Sequence, residues 1–115
     1  MKLPNADRLI VEREKIVGYL LNAAHRYGAA KARFFSEFGF RAENWGQLAQ
    51  ALREHGQRHE ITKVKQTAFG PRYEVDGSLP APDGRRPLLR TVWQMDRGKL
   101  APRLTTAYPL EGVEP

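Results

Sequence analysis

The chain has 115 residues and no cysteine, and its 19 basic against 13 acidic side chains give a net charge of +6 at pH 7. The absence of cysteine excludes disulfides, thiolate metal sites and a cysteine nucleophile, and no apolar run is long enough to span a membrane. A basic surface attracts polyanions, although a surface that only confers solubility is an equally good interpretation of the charge alone.

Length and composition predict one globular domain covering residues 1–115. Its helical part is expected over about 9–57, its sheet part over about 58–109 and a frayed tail over 110–115. The first residues lack the apolar segment of a signal peptide, so we expect a cytoplasmic protein without a membrane partner.

Apolar residues recur at helical spacing through the first half of the chain. Residues 9–11 are either a first strand or the lead-in to a helix. Helices are predicted over 14–21, over about 29–38, and from Trp45 to shortly before Gly56, with Asn44 as a candidate N-cap. The side chains expected in the core of the last two helices are Phe34, Phe35, Phe38, Trp45, Leu48, Ala49 and Leu52.

Alternating apolar and polar residues replace the helical spacing near Glu60 and predict strands. An irregular strand over 61–69 is followed by strands over 73–79, 88–95 and 102–108, with turns at 80–85 and 96–99. In the last strand, strict alternation puts Leu104, Thr106 and Tyr108 on one face and Arg103, Thr105 and Ala107 on the other. The order of elements predicts an α+β fold in which N-terminal helices pack on a C-terminal antiparallel β-sheet.

The stretch over 19–35 is typical of a helix, a polar break and a second helix. Asn22 is expected to adopt the left-handed backbone of a helix C-cap, and Gly28 to supply backbone freedom before the second helix. His25 and Lys31 then flank a turn, where a ligand reaches both side chains.

The same stretch matches a pattern of spaced residues. They are Tyr19, Leu20, Leu21, Asn22, His25, Gly28, Lys31, Ala32 and Phe35, followed by Phe69, Gly70, Tyr73, Val92 and Trp93 and by a segment over 102–109. On these residues the chain resembles a family of small, uncharacterised bacterial domains found alone or as the C-terminal tips of contact-dependent inhibition toxins. The toxin relatives look like members of the barnase/EndoU/colicin/RelE group of ribonucleases, so the resemblance implies that fold and an activity on RNA.

Metal-free RNA cleavage needs a group that moves protons, and donors or cations around the phosphate. His25 is the candidate for proton transfer because the ordinary pKa of histidine, about 6.5, lies near neutral pH; the alternative is that it only braces the turn. Lys31 is the candidate for stabilising phosphate charge, against a solvated helix lysine. Thr106 is assigned as a hydroxyl donor, against packing in the core.

Arg103 and Arg90 are predicted on neighbouring strands, where a guanidinium grips a phosphate with two hydrogen bonds. We assign Arg103 to the catalytic set with the three residues above. Arg90 is assigned to substrate binding together with Tyr108, which offers a hydroxyl and an aromatic face. The alternative for the arginines is a cross-strand ion pair, and for Tyr108 it is core packing.

His55 and His59 lie one helical turn apart. Such a pair is more often a solvated helix face than a metal site, and we expect neither a metal ion nor a cofactor. A Gly-rich phosphate loop and a Gly-x-Ser-x-Gly elbow are absent from the sequence, which counts against nucleotide-dependent and serine-hydrolase chemistry.

Two functions from different classes remain open on the residues alone. The first is a toxin-like, metal-independent endoribonuclease acting on tRNA or other cellular RNA. The second is a non-catalytic module that binds nucleic acid or protein. The family resemblance favours the ribonuclease, and a toxin of this kind implies a small acidic inhibitor or antitoxin protein that covers its basic cleft.

Overall fold

The computed structural model describes residues 1–110, in which helical segments precede a four-stranded antiparallel sheet. The helices are α1 (Arg13–Lys15, continued by a π-helix over Ile16–Leu20), α2 (Ala29–Glu37) and α3 (Trp45–Arg58), with short 3₁₀ turns at Ala6–Arg8 and Ala42–Asn44. The strands are β1 (Ile61–Thr67), β2 (Gly70–Ser78), β3 (Leu88–Gln94) and β4 (Arg103–Pro109), adjacent in that order. The predicted α+β fold is confirmed. The tail expected over 110–115 lies, from residue 111 onward, outside the described residues.

The first predicted helix forms, but its second half is wound as a π-helix. The Leu21 amide donates to the Ile16 carbonyl at 2.7 Å, which is the five-residue spacing of that geometry. Before this helix the chain is extended, and it pairs with β4 only through a parallel bridge between Ile10 and Arg103. Residues 9–11 therefore tie the start of the chain to the last strand.

α3 packs on one face of the sheet. The stripe predicted for it lies as expected, with Leu48, Ala49 and Leu52 buried and Trp45 half-buried. The helix does not end before Gly56 but continues to Arg58. Gly56 lets the helix lie directly on Trp93, because an added Cβ there would be 2.7 Å from the indole ring. Asn44 lies at the N-cap position, as predicted, but its side chain makes no capping hydrogen bond.

A β-bulge at Thr105 interrupts the alternation of β4. Val92 pairs with Thr106, and the next residue of β3, Trp93, pairs with Leu104, which leaves Thr105 as the extra residue. The Thr105 hydroxyl donates to the Val92 carbonyl at 3.1 Å.

The bulge changes which β4 side chains share a face. Leu104 and Ala107 are both buried, whereas strict alternation put them on opposite faces. The predicted grouping of Leu104 with Thr106 and Tyr108 is therefore wrong. Thr106 and Tyr108 follow the bulge and remain two residues apart on one face. Among residues 1–110, no helix is both long and apolar enough to cross a membrane.

Candidate active site

The segment between the π-helix and α2 is held by hydrogen bonds to its own side chains. Asn22 does not adopt the left-handed backbone expected of it; instead, its Oδ1 accepts from the Ala24 amide at 2.9 Å. His25 closes the turn because its Nδ1 accepts from the backbone N–H groups of Tyr27 and Gly28, both at 3.0 Å. His25 thus braces the turn, whatever else it does.

The two donors fix the position of the ring proton of His25. A nitrogen that accepts two hydrogen bonds carries no proton, so the single proton of the neutral imidazole lies on Nε2. In this arrangement Nε2 is a hydrogen-bond donor and has no lone pair with which to take up a proton. The geometry therefore favours a donor at His25 over the general base that the sequence left open.

Tyr19 connects the predicted residues to one another. Its ring meets the His25 ring edge-on, with centroids 5.0 Å apart. The ammonium groups of Lys15 and Lys31 lie 5.5 and 5.4 Å from the centroid of the Tyr19 ring, and the Tyr19 hydroxyl lies 3.1 Å from Oγ1 of Thr106. We call Lys15, Tyr19, His25, Lys31 and Thr106 the Tyr19 cluster.

Gly28 allows this arrangement through its small size. Its φ of −98° is accessible to any residue, so the expected role in backbone freedom is wrong. An added Cβ would lie 2.3 Å from the Tyr19 carbonyl oxygen and 3.0 Å from the Tyr19 ring. The start of α2 therefore packs directly on the π-helical turn, and this contact puts Lys31 beside the ring of Tyr19.

An open depression of about 460 Å³ lies over the cluster. It is lined by Lys15, Tyr19, His25, Tyr27 and Thr105. None of these lining residues is acidic, and Tyr27 is 68% exposed. The depression therefore combines positive charge with an accessible aromatic ring, which are the features that bind a phosphate and an unstacked base.

Arg103 is not part of the Tyr19 cluster. Its guanidinium donates to Asp96 at 2.7 Å; this hydrogen bond lowers the pKa of Asp96 and raises the pKa of Arg103. The ion pair lines a separate cavity beside the start of β4. Because Arg103 lies two residues before Thr105, it neighbours the depression along the strand.

Arg90 and Tyr108 belong to a different group, centred on Asp76. Arg90 donates to both carboxylate oxygens of Asp76, at 2.7 and 2.9 Å, and lies 3.3 Å from a carboxylate oxygen of Glu74. The hydrogen bond to Asp76 is the largest cause of the raised pKa of Arg90, and Tyr108 is the residue paired with Arg90 on β4. This is the cross-strand ion pair that the sequence left as an alternative. Two carboxylates around one guanidinium repel a phosphate.

His55, in α3, and His59, just after it, both contact the backbone of the sheet. His55 is buried, so a solvated helix face does not describe it. Its Nδ1 lies 3.0 Å from Oγ1 of Thr91, and its Nε2 lies 3.0 Å from the carbonyls of Gly77 and Leu89. His59 likewise reaches a backbone carbonyl. In the part of the chain that the structure describes, no three His, Asp or Glu side chains are grouped as a metal site.

Four residues of this region were missed by the sequence reasoning: Lys15, Tyr19, Tyr27 and Thr105. Lys15 and Tyr19 are four residues apart, a spacing that places both side chains on one helix face and is visible in the sequence. The sequence nevertheless placed Tyr19 only in the first predicted helix and in the family pattern. Thr105 reaches the depression only because of the bulge, for which the strand itself contains no signal.

A family model matches nearly the whole chain. The model of a domain of unknown function, DUF6883, matches residues 2–111. No curated protein matches the chain. Among solved structures, a chain of a contact-dependent growth inhibition toxin–immunity protein complex from Klebsiella pneumoniae 342 superimposes with a TM-score of 0.70 and 14% sequence identity, over 88% of this chain and 99% of that one. At that identity the likeness concerns the fold alone.

Proposed function

The chain belongs to the DUF6883 family of domains of unknown function, and from this premise we propose that it is a toxin-like, metal-independent endoribonuclease. The observation that supports the proposal is the Tyr19 cluster. It groups two ammonium ions, two hydroxyls and an imidazole N–H beside an open depression without acidic lining residues. A ribonuclease of the barnase/EndoU/colicin/RelE group is the interpretation that the family resemblance also favours.

The proposed reaction is transesterification of an RNA phosphodiester. The 2′ oxygen attacks the adjacent phosphorus, the bond from phosphorus to the 5′ oxygen breaks, and a 2′,3′-cyclic phosphate remains. Negative charge accumulates on the phosphoryl oxygens, where Lys15, Lys31 and the Nε2–H of His25 stabilise it from fixed positions. This stabilisation is the main contribution that we assign to the site.

The proton movements are assigned to the paired hydroxyls of Tyr19 and Thr106. A hydroxyl accepts with its lone pairs and donates its own proton, so the pair relays the proton lost by the 2′-OH to the departing 5′ oxygen. Atoms and charge balance without a cofactor. His25 enters as a donor because its Nδ1 is occupied by the turn. Arg90 and Tyr108 are not assigned to this reaction.

A small acidic protein is the proposed inhibitor. A solved structure that shares this fold contains a toxin and its immunity protein, and the net charge of +6 favours an acidic partner. We place its binding surface over the Tyr19 cluster, where it excludes RNA. Association is then fast and weakened by salt.

Incubation of the purified protein with total RNA in EDTA tests the proposed activity. Cleavage is expected to survive EDTA, to leave 2′,3′-cyclic phosphate ends and to spare DNA, which lacks the 2′-OH. A Lys15→Gln/Lys31→Gln double variant is expected to lose activity, whereas Lys63→Gln/Lys65→Gln, with the same loss of charge on exposed β1, retains it. Abolition of cleavage by EDTA contradicts the proposed chemistry. Intact RNA under all conditions favours the non-catalytic binding module.

A further inference from the structure

We infer that a second cavity, of about 420 Å³, binds the nucleotide next to the phosphate that is cleaved. This inference rests on the proposed function and extends it to substrate recognition. The cavity, which we call the β4 groove, is lined chiefly by Arg8, Ile10, Asp96, Lys99, Leu100 and Arg103. Its occupant is a base and phosphate of single-stranded RNA.

Two apolar side chains that line the groove are exposed, and their backbones are held by hydrogen bonds. Ile10 is 43% and Leu100 is 64% exposed, although both are large aliphatic residues. The backbone of Ile10 is fixed at the start of β4, since its amide donates to the carbonyl of Pro102 and its carbonyl accepts from the amide of Leu104, both at 2.9 Å. The carbonyl of Leu100 accepts from the Asn5 amide group at 2.8 Å. A nucleobase, which is flat and largely apolar on its face, would pack against these two side chains without requiring the backbone to rearrange.

The charged side chains that line the groove favour an anionic ligand. Arg8, Lys99 and Arg103 are positive and Asp96 is negative, so the lining has a surplus of cations. Arg103 and Asp96 neutralise each other at 2.7 Å. Arg8 and Lys99 form no ion pair within residues 1–110, which leaves their charges available to a phosphate.

The position of the β4 groove indicates which nucleotide of the substrate it binds. Thr105 lines the depression over the Tyr19 cluster and Arg103 lines the groove. Two residues of a strand span about 7 Å, a distance of the order of one nucleotide in an extended strand. An RNA strand that is cleaved at the Tyr19 cluster therefore reaches the β4 groove with the adjacent nucleotide. The base must be unpaired to lie on Ile10 and Leu100, so the substrate is a single-stranded or looped segment.

Binding of short RNA analogues that cannot be cleaved tests the groove separately from catalysis. Fluorescence anisotropy gives dissociation constants for 2′-O-methyl oligonucleotides of two and four nucleotides. The wild-type protein is expected to bind the longer one more tightly. In an Arg8→Gln/Lys99→Gln variant this advantage should fall by about tenfold, and the slope of log K against log salt for the longer strand should become shallower by about 1.4, for two lost phosphate contacts.

Two further variants separate the contributions. Leu100→Ser, at a largely exposed position, should reduce the preference for the longer strand without changing the salt slope. Lys63→Gln/Lys65→Gln removes equal charge from β1, at the opposite edge of the sheet, and should leave the advantage unchanged.

Each result has a defined meaning. Equal losses in the Arg8/Lys99 and Lys63/Lys65 variants, or no loss in either, overturn the groove as a nucleotide site. If the Arg8→Gln/Lys99→Gln variant binds RNA as the wild-type protein does but no longer binds an acidic inhibitor, the groove is a protein-binding site and the inference is overturned. A wild-type protein that shows the length advantage but cleaves no RNA refutes the proposed function and leaves the β4 groove as a binding site for single-stranded RNA, without a role beside a cleaved phosphate.

Discussion

The hydroxyl of Tyr19 lies 3.1 Å from Oγ1 of Thr106, which joins the π-helical turn to the last strand across 87 residues of sequence. The same tyrosine ring contacts the imidazole of His25 and the ammonium groups of Lys15 and Lys31. One side chain of the π-helix therefore contacts groups from α1, the following turn, α2 and β4.

Tyr19→Phe tests the hydroxyl pair directly. The substitution keeps the ring that His25 and the lysines contact and removes only the oxygen near Thr106. RNA cleavage is expected to fall by about 10² to 10⁴ if the pair moves protons, while the free energy of unfolding falls by only about 1 kcal/mol. Tyr73→Phe, in a half-buried tyrosine of β2, is the control and should keep full activity. Activity of Tyr19→Phe within twofold of the wild-type rate would remove Tyr19 from the mechanism.

Gly28→Ala should disturb the Tyr19 cluster by breaking the close contact between α2 and the π-helix. The new Cβ would lie 2.3 Å from the Tyr19 carbonyl oxygen, so α2 or the π-helix must shift. We expect a loss of about 1–3 kcal/mol in the free energy of unfolding and weaker cleavage, measured by urea denaturation and RNA assay. Gly46→Ala is the matched control, because nothing lies within 4 Å of its added Cβ; in α3 it should be neutral or stabilising by up to about 1 kcal/mol. Equal stability of the two variants would contradict the tight contact.

The helices and strands were predictable because their patterns are local. The apolar stripe that includes Leu48 and Leu52 predicted α3, and the alternation around Val75 predicted β2. Burial of one face of a helix or strand leaves a regular hydrophobic spacing in the sequence. The end of α3 was not predictable, because Gly56 is read locally as a stop signal and its contact with Trp93 is a tertiary one.

The candidate site was predictable only in part. His25 and Lys31 flank a short turn, so their proximity follows from local spacing. Their connection to Thr106 depends on the pairing of β3 with β4 and on the bulge at Thr105, neither of which leaves a pattern in one strand. Arg90 was assigned to phosphate binding because the register that sets it opposite Asp76 was unknown.

Stability should depend on pH through His55. Burial, the largest cause, lowers the pKa of His55 to about 4, and the nearby charge of His59 adds to this effect. The unfolded chain, in which histidine has a pKa of about 6.5, then binds more protons than the folded one between these values. The stabilisation is complete above about pH 6.5 and is lost as the pH falls toward 4, by at most about 3 kcal/mol.

Urea denaturation at several pH values between 7.5 and 4.5 measures this dependence. His55→Gln retains a donor for the carbonyls of Gly77 and Leu89 but does not titrate. It should be less stable than the wild-type protein at pH 7.5, and the difference should narrow toward pH 4.5. Parallel pH profiles for the two proteins would show that His55 is not the group responsible.

The last prediction separates the two roles of His25, bracing the turn and donating from Nε2. In His25→Asn the side-chain oxygen takes approximately the position of Nδ1, so it still accepts from the backbone N–H groups of Tyr27 and Gly28. His25→Ala loses both functions. If Nε2–H stabilises the phosphate, both variants should lose about 10² to 10³ in cleavage rate. Only the alanine variant should also lose about 1 kcal/mol in the free energy of unfolding, because the two amides lose their acceptor. An asparagine variant with full activity would show that His25 is structural, and the donor at the phosphate would then have to be another member of the Tyr19 cluster.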